Sequence, residues 1–83
     1  APDGPRVQLA AAPSHAGASA FWDEFVRRAP DLADGRTPVI VTFERRGLPT
    51  VWRLRVGGFD QVAEASAWCS RLRARRLDCW VPG

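Results

Sequence analysis

The chain has 83 residues, of which 46% are hydrophobic and 10% aromatic, a composition typical of one folded domain and not of a disordered segment. All twelve basic residues are arginines, and the net charge of +3 suits a partner that is an anionic or hydroxyl-rich polymer, nucleic acid included. The sequence contains no apolar run of about 18 residues and no signal-peptide pattern, so we expect no membrane contact by this fragment.

The first elements are a linker, a strand and a helix. Ala1–Pro5 is rich in turn-forming residues and predicts a linker remnant, with the domain itself over residues 6–83 and any membrane anchor upstream. Val7–Ala11 alternates as a short strand. Ser14 is a good N-cap for a helix that Pro30 ends. The apolar residues of this helix recur at helical spacing: Ala18, Trp22, Phe25 and Ala29.

The middle of the chain predicts a hairpin followed by a second helix. Val39–Glu44 and Val51–Val56 are rich in β-branched and aromatic residues, and the Arg46–Pro49 segment between them has turn-forming residues. The helix that follows begins at one of two capping candidates, Asp60 or Gln61. Its predicted buried stripe consists of Val62, Ala65, Cys69 and Leu72.

A short strand over Asp78–Val81 completes the predicted order of strand, helix, strand, strand, helix, strand. This is the α+β, βαββαβ arrangement of ferredoxin-like and RNP-like folds, with a four-stranded antiparallel sheet and two helices on one face. An apparent repeat supports it, since Val7–Ala11 aligns with Leu54–Gly58 and Ala16–Phe21 with Ala63–Trp68 without a gap. A coincidence of alanine-rich segments is the alternative.

One face of this sheet is predicted to be free of helices and to bind a ligand. Val7 and Leu9 must point at the helices, so strand alternation sends their neighbours to the other side. The predicted open-face residues are Arg6, Gln8, Ala10, Arg53, Arg55 and Trp80. An indole beside a carboxamide and guanidinium groups suits a polymer of sugars, and an ordinary hydrated sheet face is the alternative. Trp52 alternates with the inward residues and stays undecided between core and ligand.

The two cysteines, Cys69 on the helix stripe and Cys79 on the inward face of the last strand, point into the same layer. We expect a disulfide and hence an oxidising compartment such as the bacterial periplasm, with two reduced core cysteines as the alternative. A zinc site is not expected, because only His15 would assist the cysteines.

The sequence lacks the common catalytic signatures, including the nucleophile elbow, the P-loop and the dinucleotide fingerprint. The neighbouring carboxylates Asp23 and Glu24 diverge by about 100° on a helix, and His15 is interpreted as a solvated loop residue. We therefore expect no catalysis, no cofactor and no metal.

Four segments resemble the SPOR (sporulation-related repeat) family: Arg6–Ala11, Trp52–Phe59, Ala63–Cys69 and Asp78–Val81. The resemblance implies a module that binds peptidoglycan glycan strands lacking stem peptides and targets a cell-division or cell-wall protein to the septum. We expect the domain to be a monomer. The resemblance also implies Gln8, Ser14, Trp52 and Trp80 as binding residues, and a bulge near Pro49 would bring Trp52 to the open face. Cysteine pairs like this one occur in some family members. Gly58 and Arg76–Leu77 depart from the family pattern, away from the proposed face.

The complete set of predicted glycan-binding residues is Gln8, Ser14, Trp52, Arg53, Arg55 and Trp80. The main alternative is an RRM-like domain that binds single-stranded nucleic acid, because RRM modules share this order of elements. Against it, the predicted strands lack the paired aromatic residues of such domains. A protein-docking adaptor that uses the exposed edge of the second strand is a third possibility.

Overall fold

The computed structural model describes residues 4–82. Residues 1–3 of the predicted linker, together with residue 83, lie outside the described residues. The elements in chain order are β1 (Val7–Ala12), α1 (His15–Arg28), α2 (Pro30–Ala33), β2 (Pro38–Phe43), β3 (Val51–Val56) and α3 (Val62–Ala74). None of the helices in this part of the chain is long and apolar enough to cross a membrane.

The helices begin at residues whose conformation or chemistry suits a helix start. Ser14 is the N-cap of α1, and its Oγ accepts a hydrogen bond from the Gly17 N–H at 3.0 Å. After α1 ends, Pro30 takes the first position of the short α2, where a missing N–H has no helical partner in any case. In the described part of the chain, the predicted number of helices is therefore corrected from two to three. Gln61, and not Asp60, is the N-cap of α3.

The sheet has the order β1-β3-β2, and both pairings are antiparallel. Its central strand is β3, which runs between the first strand and the hairpin partner. The α+β class and the position of β1 beside β3 agree with the sequence prediction. The pairing of β2 with β3 is continuous from Pro38–Val56 to Phe43–Val51, with no bulge near Pro49.

The predicted fourth strand is wrong, because Asp78–Val81 makes only an isolated bridge between Trp80 and Gln8. Two backbone hydrogen bonds form it, at 2.7 and 2.9 Å. In an antiparallel ladder the next residue to donate toward β1 would be Pro82, which has no N–H. On the other side of the bridge, β1 bulges. The hydrogen-bonded pairing therefore cannot continue on either side of the bridge, and the sheet formed by residues 4–82 has three strands.

A bulge at Leu9 changes which side chains of β1 face the helices. Gln8 pairs with Arg55, but the next pair along is Ala10 with Leu54, so β1 contains one extra residue. The extra residue reverses the alternation that follows it. Ala10 consequently shares a side with the buried Leu54, and the prediction that Ala10 lies on the open face is wrong.

The core lies between the helices and one face of the sheet. Val7 and Val56 from the sheet pack there with Phe25 of α1 and Leu72 of α3. Trp68 joins them, and its Nε1–H donates to the Leu32 carbonyl at 3.1 Å, which satisfies the polar atom of a buried indole. The buried residues of α3 are Ala65, Trp68, Cys69 and Leu72. The predicted burial of Val62 is wrong, since it is 59% exposed and Phe59, just before the helix, is buried instead.

Candidate functional site

The sheet face opposite the helices, the open face, is defined by the strand register. Val7, Leu54 and Val56 are fully buried beneath the helices, so their neighbours along each strand face the other way. The open face consists of Gln8 and Ala11 in β1, Val51, Arg53 and Arg55 in β3, and Val39, Val41 and Phe43 in β2. Trp80 joins this face beside Gln8 through the bridge.

Gln8, Arg55 and Trp80 lie side by side on the open face. Gln8 pairs with Arg55 on one side and with Trp80 on the other, so the three lie in adjacent rows. The Arg55 Nε–H donates to Gln8 Oε1 at 3.3 Å, which orients the carboxamide with its nitrogen away from the arginine and available to donate. The Trp80 side chain is 53% exposed. The site therefore offers an aromatic plane next to an oriented amide.

Arg53 lies over the ring of Phe43, with its guanidinium carbon 3.9 Å from the ring centroid. Such a cation–π contact restricts the arginine side chain while leaving its N–H donors free. Phe43 was not among the predicted site residues. The pairing of β2 with β3 places Phe43 opposite Val51 and next to Arg53. This pairing could not be predicted, because the alternation within one strand does not show which residue of the neighbouring strand lies opposite.

The electrostatics of the open face are positive. Partial burial lowers the pKa of Arg55, and the charges of Arg53 and Arg6 lower it further. A shallow concavity of about 320 Å³ adjoins these residues and is lined by Gly4, Pro5, Arg6, Arg55 and Pro82. Guanidinium groups that repel one another beside a concavity favour the binding of an anionic or strongly hydrogen-bonding group.

Ser14 and Trp52 lie apart from this face. Ala12 and Leu54 are buried on the helix side, and Trp52 shares that side, half-buried against them. The His15 ring meets the Trp52 ring edge-on at 5.5 Å. His15 is the first residue of α1, so its predicted position in a loop is wrong. The structure thus brings Gln8, Arg53, Arg55 and Trp80 together. It leaves Ser14 at the start of α1 and Trp52 on the helix side of β3.

The N-cap position of Ser14 predicts a specific effect of its substitution on stability. Substitution of Ser14 by alanine is expected to lower the free energy of unfolding by about 1 kcal/mol, because the Gly17 N–H loses its acceptor. Urea denaturation measures the change. Ser66→Ala, on the exposed side of α3, is the control and is expected to change stability by less than about 0.5 kcal/mol. Equal effects of the two substitutions would show that the cap contributes nothing.

The predicted disulfide is present between Cys69 of α3 and Cys79, with their Cα atoms 5.8 Å apart. Cys79 directly precedes Trp80, so the bond attaches the final segment to α3 one residue before the indole. The bridge to Gln8 and this disulfide together hold Trp80 at the edge of the open face.

Known proteins are similar to this chain in sequence and in fold. The sequence profile of the SPOR domain family matches residues 1–83. This chain belongs to the SPOR domain family. A relative of this SPOR domain is the cell division protein FtsN of Caulobacter vibrioides (strain NA1000 / CB15N), which is 37% identical over 75 residues. The alignment covers 90% of this chain and 28% of the relative, so the chain spans little more than a quarter of that protein.

A solved structure with the same fold is the RlpA SPOR domain from Pseudomonas aeruginosa, with a TM-score of 0.70. The match covers 96% of this chain and 99% of that one at 15% sequence identity. At this level of identity the likeness concerns the fold, and it confirms the α+β SPOR architecture.

Proposed function

We propose that this SPOR domain binds the glycan strands of peptidoglycan on its open face, without catalysis, in the bacterial cell envelope. The observation that carries the proposal is that Gln8, Arg55 and Trp80 lie side by side on a sheet face that no helix covers. Membership of the SPOR family and likeness to a cell division protein support a role in directing a parent protein to the division septum.

The chemistry of these residues suits a sugar polymer. The indole of Trp80 offers an apolar plane for the C–H face of a sugar ring, while Gln8 and Arg55 offer donors to hydroxyl and acetamido oxygens. The three rows span about 10 Å, since neighbouring strands lie about 4.8 Å apart. A glycan strand that crosses the three rows can therefore contact all three side chains with a length of roughly one disaccharide.

Binding without hydrolysis is part of the proposal. The usual glycosidase mechanism requires two carboxyl groups that flank the scissile bond. The residues that define the open face include no aspartate or glutamate. The groups on this face are therefore suited to holding a glycan and not to protonating or attacking it.

Ser14 and Trp52, which the family resemblance implies, stay predictions as binding residues. They lie at the start of α1 and on the helix side of β3, respectively. A glycan on the open face reaches Ser14 and Trp52 only if it extends past the end of the sheet that lies next to the start of α1.

Co-sedimentation with purified peptidoglycan sacculi tests the function directly. We expect the domain to pellet with sacculi, and to do so more strongly after an amidase has removed the stem peptides. A labelled single-stranded RNA serves as competitor and is expected to have little effect. A domain that ignores sacculi and binds the RNA with a steep salt dependence would instead be an RRM-like nucleic-acid-binding module.

A further inference from the structure

Among residues 4–82, three arginines near the open face have no carboxylate partner. Within residues 4–82, the ion pairs are Arg27 with Glu24 and Arg75 with Asp31, and both belong to the helical part of the chain. Arg6, Arg53 and Arg55 are in neither. Their positive charges are close enough to act on one another, as the effect of two of them on Arg55 shows.

Neutral contacts hold these side chains instead. Arg53 lies on the Phe43 ring, and Arg55 donates to the Gln8 carboxamide. The Arg6 side chain passes over Gly57, with its Cγ 3.8 Å from the place where a Cβ would be. These contacts restrain the three side chains without neutralising their charge, so the guanidinium groups remain available to an anion.

The ion pair with Asp31 and the open face shift the pKa of an arginine in opposite directions. A hydrogen bond from Arg75 to the Asp31 carboxylate raises the pKa of that arginine, and it lowers the pKa of Asp31 to about 2. On the open face, burial and neighbouring charges lower the pKa of Arg55. An anion bound there would stabilise the charged form of these arginines, as the Asp31 carboxylate does for Arg75.

The chemistry of peptidoglycan supplies a suitable anion. Every second sugar carries a lactyl group whose carboxyl is bonded as an amide to the stem peptide. When an amidase hydrolyses this amide, water is added across the bond, and a free carboxylate stays on the sugar while the peptide leaves with the amine. A strand without stem peptides therefore carries one negative charge per disaccharide, where a strand with intact peptides carries a neutral amide.

Resting on the proposed function, we propose that Arg6, Arg53 and Arg55 form an anion site that takes the lactyl carboxylate of strands lacking stem peptides. The concavity lined by Arg6, Arg55 and Pro82 adjoins Gln8 and has about 320 Å³ for the three-carbon lactyl group. The planar fork of a guanidinium matches a carboxylate with two parallel hydrogen bonds. The preference for glycan strands without stem peptides then comes from the attraction between carboxylate and arginine, in addition to the loss of the bulky peptide.

Three matched ligands test this site: glycan strands freed of stem peptides, the same strands with each carboxyl converted to a neutral N-methylamide, and chito-oligosaccharides of equal length, which have no lactyl group. We expect the affinity for the free-carboxylate strands to exceed that for the other two by about tenfold or more, and to fall with added salt. Equal binding of carboxylate and methylamide strands would overturn the anion site while leaving glycan binding intact. Failure to bind any of the three would refute the proposed function itself.

Substitutions locate the site within the chain. Arg55→Gln and Arg6→Gln are expected to reduce the preference for carboxylate over methylamide strands by about tenfold each. Arg71→Gln, on the exposed side of α3, removes the same net charge and is expected to leave the preference unchanged. The melting temperatures of all three variants verify that they fold. Arg6 precedes β1, so its substitution tests the site without changing a residue of the sheet. If Arg71→Gln lowers the preference as much as the others, the effect is one of net charge and the site is refuted.

Discussion

Replacement of Trp80 by alanine is expected to abolish co-sedimentation with sacculi, with a loss of affinity of more than about thirtyfold. The indole is the only large apolar plane that the bridge places beside Gln8, and more than half of its surface is exposed. The hydrogen bonds that join residue 80 to Gln8 are backbone bonds and survive the substitution. The melting temperature is therefore expected to change little.

Phe21→Ala is the matched control, because Phe21 is an aromatic residue of α1 with a similar exposed fraction, 50%. It is expected to leave sacculus binding unchanged. Gln8→Ala is expected to behave like Trp80→Ala, since it removes the amide and releases Arg55 from its hydrogen bond. Loss of folding in the Trp80 variant, or equal loss of binding in the Phe21 variant, would contradict the assignment of the open face.

Removal of the disulfide is expected to have the largest effect on stability. Substitution of Cys69 and Cys79 by alanine frees a loop of about eleven residues in the unfolded chain, which the chain-entropy model values at about 3 kcal/mol. For a domain of this size the melting temperature should fall by roughly 10–20 °C. Thermal unfolding followed by circular dichroism, with and without reductant, measures the change in each protein.

The disulfide also bears on binding, because up to residue 82, where the described chain ends, the final segment pairs with a strand through a single bridge. Without the covalent bond, Trp80 should spend part of its time away from Gln8, and sacculus binding should weaken at temperatures where the domain remains folded. Reductant should reproduce both effects in the wild-type protein and have none in the double alanine variant. If reduced wild-type protein keeps its full affinity, the disulfide does not position Trp80.

Several structural features could be predicted from the sequence because each depends only on residues that are close together in it. The cap at Ser14 needs only residues up to Gly17, and the alternation of β3 needs only Val51–Val56. The common side of Arg53 and Arg55, opposite to Leu54, follows from the geometry of a single strand. The meeting of Cys69 and Cys79 likewise followed from one apolar stripe and one short segment close in sequence.

Other features depend on which strand pairs with which residue, and these only the folded chain decides. The bulge at Leu9 turns Ala10 inward, and the unbroken register of the hairpin keeps Trp52 on the helix side and puts Phe43 next to Arg53. A shift of one residue in a register moves every later side chain to the opposite face, and local propensity carries no information about it. The sequence alone was enough to predict three strands, two helices and the open-face positions of Gln8, Arg53 and Arg55. Cross-strand pairing decided which further residues belong to that face and ended the fourth strand after one bridge.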